Sequence, residues 1–358
     1  MQASQILSFR NLIEGNPITK SFDLNLSSNE RLTCPKRLCH RSGSSSITLK
    51  QDRLDAPTID FSLLSSSSPD ELAKLRVALT SWGCVQLVNH GMPVSLLDEV
   101  REMSKEFFKL PLEEKEKYSS KGDDLEGYGN TNAVQRGSLN WNDKLHLQVY
   151  PEEKRQLLCW PENPQHFRTT LHEYSKKNLM ILRTLLKAMA RSLNLEEERF
   201  LELWGDENED NTHARFNFYP RCPMSDQVVG LKPHGDGTAI TMLLQDKEVE
   251  GLQVVKDDRW FRVPVIPHAL TILVGDQMEI ASNGVFKSPT HKAVVNPQYD
   301  RMSLAMLFIP SLDKEIGPLE ELINEERPQL YKRLKDYGQV YTQSIPSGKR
   351  PIDMMKIN

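Results

Sequence analysis

The sequence has few cysteines, no strong excess of either charge and no long apolar run. Five cysteines, an odd number, are widely spaced without a Cys-x-x-Cys pair, which argues against a disulfide framework or zinc finger and indicates a reducing compartment. The 45 basic and 49 acidic side chains leave a net charge of −4, so nothing favours a nucleic-acid or anionic-membrane partner. No apolar run approaches the roughly 18–20 residues that cross a bilayer, so no membrane-spanning segment is predicted.

The composition is that of a globular protein with enough apolar residues for a large core. Hydrophobic residues make up 38% of the 358 positions and charged residues 26%, and this length allows one large or two ordinary domains. Changes in residue pattern suggest four regions: an extension at 1–51, a mostly helical region at 52–205, a strand-rich domain at 206–312, and a C-terminal helix and tail at 313–358. Helical periodicity predicts helices near 69–82, 94–110, 167–193, 195–204 and 326–337.

The first 50 residues differ in composition from the rest of the chain. They contain nine serines and seven Lys or Arg residues but only three acids, and they show no clear hydrophobic period. Organellar transit peptides are Ser-rich and poor in acids, but a disordered extension has the same composition. We expect a cytoplasmic protein, and organellar targeting by 1–50 stays an alternative.

Short strand-like runs recur from about residue 212 onwards. They are spaced roughly ten residues apart and separated by clusters of Gly, Pro, Asn and Asp. The runs occupy 213–219, 228–232, 239–245, 251–256, 259–265, 270–274, 291–296 and 302–309. This spacing is typical of a β-sandwich or a jelly-roll barrel.

A candidate metal site lies within this strand-rich domain. His234 and Asp236 are two residues apart, so on an extended chain both side chains point to the same face. His291 opens a later predicted strand and can supply a third ligand. Two histidines and one carboxylate form the facial triad of non-haem Fe(II) oxygenases, which leaves coordination positions open for substrate and dioxygen. A His-x-Asp pair alone is common and does not establish such a site.

Arg301 and Ser303 follow ten residues after His291, and they also share one strand face. A guanidinium is suited to bidentate carboxylate binding, and the serine hydroxyl adds a donor. An arginine inside a barrel is costly unless an anion pairs with it, and a small dicarboxylate would supply that anion. The alternative is an arginine at the rim, facing water.

The spacing between His291 and Arg301 makes a prediction about strand pairing. In a simple hairpin the two residues would lie five pairs apart, about 17 Å at ~3.4 Å per residue, which is long for one small molecule. We therefore predict that the strands at 291–296 and 301–309 do not pair with each other.

Together these residues resemble those of the plant 2-oxoglutarate- and Fe(II)-dependent dioxygenases of specialised metabolism, such as flavonol synthases and alkaloid O-demethylases and hydroxylases. The resemblance covers about residues 52–345. Its first block contains Pro57-Thr58-Ile59-Asp60, Trp82-Gly83, Val88-Asn89-His90-Gly91 and Phe108-Lys109-Leu110-Pro111. Its second contains Asn217-Phe218-Tyr219-Pro220, Cys222-Pro223, His234-x-Asp236, Gly251-Leu252-Gln253, Gly275-Asp276, Ser282-Asn283-Gly284, Lys287-Ser288, His291 and Arg301-x-Ser303.

The resemblance implies a fold and a set of ligands. The fold is mixed α and β, with a double-stranded β-helix (jelly-roll) core, an N-terminal helical region and flanking helices. Fe(II) and the co-substrate 2-oxoglutarate are implied, with O2, and ascorbate is expected as a reductant. The implied roles are iron binding by His234, Asp236 and His291, 2-oxoglutarate binding by Arg301 and Ser303, and lining of the same pocket by Tyr219 and Asn217.

The resemblance also implies the reaction class, that of an oxidoreductase. 2-Oxoglutarate is oxidatively decarboxylated to succinate and CO2 while a small plant metabolite is hydroxylated or O-demethylated. Two alternatives are an ascorbate-dependent oxidase of the same fold and a catalytically silent ligand-binding relative. The expected partner is a small molecule, with no nucleic acid or membrane, and the protein is expected to be a monomer.

Departures from the family pattern point to the substrate pocket. The family often has an aromatic residue at the position of Leu307, whereas here Phe308 follows it. Lys144 and His146 share one face of a predicted strand that aligns with a pocket segment of the family. The His146 imidazole can hydrogen-bond a phenol or carboxylate of the substrate, or both side chains face solvent at the mouth.

Overall fold

The fold is known from a computed structural model of the chain. It describes residues 54, 57–119, 126–129, 140–203, 211–311, 314–344 and 350–357. The proposed extension at 1–51 lies outside the described residues, so its predicted disorder or targeting role stays a prediction.

Seven α-helices lie within the described ranges. They are α1 (Phe61–Ser65), α2 (Pro69–Ser81), α3 (Val94–Lys109), α4 (Leu112–Glu116), α5 (Phe167–Ser192), α6 (Asp276–Ala281) and α7 (Tyr337–Ser344). The long helix α5 packs against α1, α2 and α3. Short 3₁₀ turns cover Glu152–Lys154, Leu157–Cys159, Leu201–Leu203, Glu320–Leu322 and Pro351–Met354.

The described strands form two facing sheets and one small ribbon. They are β1 (Thr58–Asp60), β2 (Cys84–Val88), β3 (Gly127–Tyr128), β4 (Asp143–Tyr150), β5 (Asn211–Tyr219), β6 (Leu231–His234), β7 (Ile240–Leu244), β8 (Leu252–Lys256), β9 (Arg259–Arg262), β10 (Leu270–Val274), β11 (His291–Ala293), β12 (Arg301–Ile309), β13 (Glu315–Ile316) and β14 (Leu334–Lys335). The major sheet has the order β1-β2-β10-β7-β12-β5-β4-β3, the minor sheet has the order β6-β11-β8-β9, and β13 pairs with β14. The predicted class, mixed α and β with a jelly-roll core, is confirmed.

Side-chain alternation gives the major sheet two different faces. On β5 the even-numbered residues, such as Ala214 and Phe216, join the main apolar core with Leu171 and Leu182 of α5. The odd-numbered residues of β5 point the other way, because successive side chains on a strand face opposite sides. Burial of the apolar face against the helices therefore fixes the register and directs the polar face inwards between the two sheets.

The strand-pairing prediction is confirmed. Strand β11 pairs with β6 and β8 in the minor sheet, whereas β12 pairs with β5 and β7 in the major sheet. His291 and Arg301 therefore reach the same interior from facing sheets.

The predicted regions share one sheet. Strands β1 to β4 come from the stretch predicted to be mostly helical, and they occupy both ends of the major sheet. The β-strands of the later domain therefore complete a sheet that the earlier region begins.

Two predicted helices are wrong. Over 195–203 the chain forms turns and a 3₁₀ segment, and Trp204 lies outside the described residues. There Glu197 and Glu198 form ion pairs with Lys187 of α5, so their side chains face that helix. Near 326–337 there is no helix before Tyr337, because Tyr331 forms a β-bridge with Lys356 and Leu334–Lys335 pairs with Glu315–Ile316 as a strand.

None of the helices in the described part of the chain combines the length and apolarity that crossing a bilayer requires.

Candidate active site

The two metal-site histidines lie opposite each other on neighbouring strands. His234 ends β6 and His291 begins β11, and the antiparallel register pairs these residues directly. Their ring centroids are 4.3 Å apart. Asp236 follows His234 by two residues, so its carboxylate lies close to the two imidazoles.

The three side chains form a group that could hold one metal ion. The Oδ1 atom of Asp236 lies 3.6 Å from Nε2 of each histidine, and the three ligand atoms lie within 4.8 Å of one another. Nδ1 of His234 lies 2.8 Å from the Lys232 carbonyl oxygen, and Nδ1 of His291 lies 3.1 Å from that of Pro289. Because a carbonyl only accepts, each Nδ1 donates and each Nε2 keeps its lone pair for a metal.

The electrostatics of this group suit a divalent cation. Burial, with a smaller contribution from His291, lowers the pKa of His234 to about 4. Burial raises the pKa of Asp236, but the two histidines and Thr241 outweigh it, and the pKa is lowered overall. Neutral imidazoles and an ionised carboxylate are the forms that bind metals, and two histidines with one carboxylate fit Fe(II).

Arg301 is a buried cation on the facing sheet. It lies opposite Tyr219 in the pairing of β12 with β5, and Ser303 lies opposite Asn217. Only 2% of Arg301 is exposed, and burial lowers its pKa. Its guanidinium carbon lies 5.1 Å from the centroid of the Tyr219 ring.

No carboxylate among the described side chains forms an ion pair with the Arg301 guanidinium, although Tyr219 and Asp246 favour its charge and partly offset the effect of burial. Nη2 makes one long contact of 3.4 Å to Oε1 of Gln245, and the buried Nε and Nη1 atoms have no hydrogen-bond partner within the described ranges. A buried, unpaired charge is strongly unfavourable. The arrangement therefore fits a bound carboxylate, which would accept hydrogen bonds from this fork.

Gly251 makes room for the Arg301 side chain. A Cβ at position 251 would lie 2.6 Å from Cδ and 2.7 Å from Nε of Arg301. Any other residue there would displace the arginine. This steric requirement explains the glycine of the Gly251-Leu252-Gln253 motif.

The metal group and Arg301 open into one cavity. Its volume is about 490 Å³, including the part open to solvent. The lining residues are Arg215, Asn217, Tyr219, Leu231, His234, Asp236, Thr241, Leu243, Leu252, Leu273, His291, Lys292, Ala293, Arg301, Ser303, Ala305 and Leu307. The predicted metal and Arg301-x-Ser303 residues are thus brought together in one place.

Arg215 is a lining residue that the sequence reasoning missed. It lies two residues before Asn217 on the same face of β5, and its Nε donates to Oδ1 of Asn217 over 3.1 Å. The resemblance placed Asn217 and Tyr219 in the pocket, and the alternation of side chains on a strand puts Arg215 on the same face of β5. Asn217 therefore holds Arg215 in place within the lining.

The predicted substrate-pocket residues have different positions. Leu307 lines the cavity. Phe308 does not, because it is the next residue on the strand and is buried in the main core on the opposite face. Lys144 and His146 lie opposite Asn217 and Arg215 on β4, so they share the inner face one strand further out, but neither belongs to the lining of the cavity.

His146 belongs to a hydrogen-bonded pair of histidines. Nε2 of His213 lies 3.0 Å from Oδ1 of Asn211, and Nδ1 of His213 lies 3.1 Å from Nε2 of His146. Because the amide oxygen of Asn211 accepts, His213 donates through Nε2 and accepts at Nδ1. His146 therefore donates through Nε2, and its Nδ1 is left as a hydrogen-bond acceptor.

This histidine pair makes the protein sensitive to acid. Burial lowers the pKa of His213 to about 4, and burial together with His213, Arg215 and Lys144 lowers that of His146. The unfolded chain takes up protons near pH 6.5 whereas the folded protein does not, so the free energy of unfolding falls as the pH drops from 6.5 towards 4. Urea unfolding at pH 7.5 and 5.0 should show a smaller loss of the free energy of unfolding for His213→Gln than for the wild type, by about 2 kcal/mol.

The matched control for this prediction is His172→Gln, since His172 is 44% exposed. It should lose as much stability on acidification as the wild type. An equal loss in the His213→Gln variant would show that His213 does not contribute.

Comparisons with known proteins agree with this geometry. The family described as the N-terminal part of the non-haem dioxygenase in morphine synthesis matches residues 56–165, and the 2OG-Fe(II) oxygenase superfamily matches residues 211–310. Jasmonate-induced oxygenase 4 of Arabidopsis thaliana is 36% identical over 305 residues, covering 84% of this chain and 86% of that protein. Codeine O-demethylase of Papaver somniferum is 35% identical over 336 residues, covering 91% of each protein.

A solved structure is also similar over nearly the whole chain. The crystal structure of JOX2 in complex with 2OG, Fe and JA has a TM-score of 0.85 and 32% identity, and the match covers 96% of this chain and 99% of that one. The expected iron and 2-oxoglutarate cofactors are thereby confirmed. The chain belongs to the plant family of 2-oxoglutarate- and Fe(II)-dependent dioxygenases, and it is an oxidoreductase.

Proposed function

We propose that this enzyme hydroxylates or O-demethylates a small plant specialised metabolite, with succinate and CO2 formed from 2-oxoglutarate. The observation that carries the proposal is the unpaired, buried guanidinium of Arg301 in the same cavity as the His–Asp–His group. A silent binding protein has no need for both features. The relative from Papaver somniferum, whose name states O-demethylation of codeine, supports the demethylation alternative.

In this proposal His234, Asp236 and His291 hold Fe(II). The backbone carbonyls of Lys232 and Pro289 fix the two imidazoles with Nε2 directed to the metal. The bound iron and 2-oxoglutarate together supply the oxidising power for the reaction. The protein contributes a fixed set of three ligands and leaves the remaining positions open.

Arg301 and Ser303 hold the carboxylate of 2-oxoglutarate that is remote from the metal. The two residues lie on the same face of β12, and Nε and Nη1 of Arg301 have unused donor capacity there. Tyr219 packs against the guanidinium, and Asn217 accepts a hydrogen bond from Arg215, which also lines the cavity. The anion then compensates the buried charge, which makes binding of a dicarboxylate favourable.

Apolar side chains enclose the reacting centre. Leu243, Leu252, Leu273 and Ala305 line the cavity between the two sheets. They limit the access of water to the oxidised carbon, which protects the reaction from side reactions.

A substrate that extends from the cavity towards β4 is proposed to carry a hydroxyl group that meets His146, which lies on the same inner face one strand outside the cavity lining. Nδ1 of His146 accepts hydrogen bonds in the tautomer that His213 and Asn211 impose. A phenol or alcohol can donate to this atom, whereas a carboxylate cannot. Of the two groups considered from the sequence, the geometry therefore favours the phenol.

The function is tested by feeding a plant metabolite extract to the enzyme with Fe(II), ascorbate and O2, with and without 2-oxoglutarate. We expect one metabolite of the extract to be consumed, and the amount of succinate formed to be proportional to the amount of that metabolite consumed. A product heavier by one oxygen indicates hydroxylation, and a product lighter by CH2 with release of formaldehyde indicates demethylation. Turnover that continues without 2-oxoglutarate would contradict the proposal and favour an ascorbate-dependent oxidase.

A further inference from the structure

A buried acid next to the metal group is paired with an arginine from the C-terminal end of the chain. Asp276 is fully buried, and Nη2 of Arg350 lies 3.0 Å from its Oδ1 atom. Oδ1 also accepts from the Ser288 hydroxyl over 2.6 Å, and Oδ2 accepts from the Tyr337 hydroxyl over 2.9 Å. No other lysine or arginine in the described ranges forms an ion pair with Asp276.

The start of α6, which carries Asp276, holds the loop that carries Asp236. The backbone N–H of Asp276 donates to the carbonyl of Asp236 over 2.8 Å, and that of Gln277 donates to Thr238 over 3.0 Å. The Gln277 side chain donates to the carbonyl of Gly237 over 2.7 Å. Movement of Asp276 would therefore move the metal-binding carboxylate with it.

The same arginine contacts the segment that leads into His291. Nη2 of Arg350 lies 3.2 Å from the carbonyl oxygen and 3.3 Å from the hydroxyl of Ser288. The next residue, Pro289, accepts the hydrogen bond from Nδ1 of His291. One guanidinium nitrogen thus connects the chain segments before His291 and around Asp276.

Arg350 also packs against the residue between the first two metal ligands. A Cβ at Gly235 would lie 2.6 Å from Nη2 of Arg350 and 3.2 Å from Oδ1 of Asp276. Only glycine allows the backbone between His234 and Asp236 to come this close to the ion pair. The ion pair therefore supports both metal-binding segments by direct contact.

The segment that carries Arg350 is anchored independently of this ion pair. Ile352 and Met355 belong to an apolar cluster with Ile280 of α6 and Tyr331. The N–H of Lys332 donates to the carbonyl of Met355 over 2.8 Å. The arginine thus projects from a fixed segment onto the metal-binding loops.

We propose that Arg350 is a positioning residue for the iron site, which holds the Asp236 loop and the Ser288–His291 segment at the spacing that Fe(II) requires. This inference rests on the proposed iron-binding role of His234, Asp236 and His291. Arg350 itself does not touch the metal ligands' binding atoms. It acts through Asp276 and Ser288, as outer-shell partners do in other metal sites.

The test compares metal affinity in Arg350→Gln and Arg350→Lys with that of the wild type. Fe(II) and Co(II) are titrated separately into the anaerobic, metal-free full-length protein. The temperature is kept below the midpoint of thermal unfolding of each variant, and circular dichroism checks that each variant is folded. We expect the glutamine variant to bind both metals roughly thirtyfold more weakly, within the 10–100-fold range of outer-shell changes. The lysine variant keeps the charge but has a single nitrogen, and we expect a loss of about fivefold.

The matched control is Arg333→Gln. Arg333 also lies near the C-terminal end, is 36% exposed compared with 32% for Arg350, and pairs with Glu320 away from the metal group. The Arg333→Gln variant should have a lower midpoint temperature of thermal unfolding than the wild type but the same metal affinity. The Co(II) absorption bands, which report ligand geometry, should change in Arg350→Gln only.

Metal affinity in Arg350→Gln within twofold of the wild type would overturn the inference, as would an equal loss in the Arg333→Gln control. If Arg350→Gln does not fold, Arg350→Lys decides, and wild-type affinity in that variant overturns the inference. A wild type that binds neither metal would instead refute the iron-site assignment itself, so the two failures are distinguishable.

Discussion

Replacing His291 with alanine is expected to weaken Fe(II) binding by more than a hundredfold and to abolish turnover. The change removes one of three ligands, and even the loss of an outer-shell partner costs about 10–100-fold in metal affinity. His291 is 6% exposed and lies directly opposite His234, and within the described ranges the group contains no fourth His, Cys, Asp or Glu to replace it. Anaerobic titration with Fe(II) measures the affinity, and succinate formation measures turnover.

His172→Ala is the matched control for the His291 variant. His172 is 44% exposed on α5 and does not line the cavity, so its removal should leave metal affinity unchanged. Tight iron binding by a folded His291→Ala protein would show that the metal does not use this group.

The Arg301→Met variant is expected to bind 2-oxoglutarate roughly a hundredfold more weakly while its Fe(II) affinity stays the same. Removing one partner of a buried ion pair costs about 3–5 kcal/mol, and 1.4 kcal/mol corresponds to a factor of ten. Methionine fills much of the same space without charge. Isothermal titration of 2-oxoglutarate into the anaerobic Fe(II) protein measures the effect.

The free energy of unfolding of the ligand-free protein distinguishes a role of Arg301 in binding from a role in stabilising the fold. The buried Nε and Nη1 atoms of Arg301 have no partner in the described ranges, so Arg301→Met should keep or raise the free energy of unfolding of the ligand-free protein. Arg155→Met is the control, because Nε of Arg155 donates to the Val149 carbonyl over 2.7 Å and its side chain is 12% exposed. That variant should lose stability and keep 2-oxoglutarate affinity.

A clear loss of ligand-free stability in Arg301→Met, with 2-oxoglutarate affinity unchanged, would contradict the assignment. Arg301 would then be a structural residue, and the carboxylate of the co-substrate would have to bind elsewhere in the cavity.

The alternation of side chains made much of the strand-rich domain predictable. Strands such as β5, β7, β10 and β12 have apolar runs of strand length between turn residues, and the structure places them within a few residues of the expected bounds. The same alternation placed His234 with Asp236 and Arg301 with Ser303. The assignment of Phe308 to the pocket is wrong because it came from a resemblance at the neighbouring position and ignored this alternation, which turns Phe308 to the opposite side.

Features that depend on tertiary packing were beyond prediction from local sequence. The helix expected over 326–337 has a suitable composition, but the bridge of Tyr331 to Lys356 and the pairing of β14 with β13 override it. The short helix α6 has only six residues and no periodicity to detect. The contact of Arg350 with Asp276 joins residues 74 positions apart, and no local pattern specifies such a pair.

The proximity of Gly251 to Arg301 is another feature that local sequence does not predict. The glycine was part of the recognised motif, but its reason is a steric one that only the packed structure reveals. The position of β11 and β12 in facing sheets was predictable because a distance argument excluded the hairpin.

The central claim is that one cavity binds Fe(II) and 2-oxoglutarate together. The most direct measurement is the visible absorption of the anaerobic Fe(II) protein on addition of 2-oxoglutarate, recorded alongside the His291→Ala and Arg301→Met variants. We predict a weak charge-transfer band in the wild type, no band in His291→Ala, and a band in Arg301→Met that requires about a hundredfold more 2-oxoglutarate. Iron binding by the wild type without any band would contradict the account.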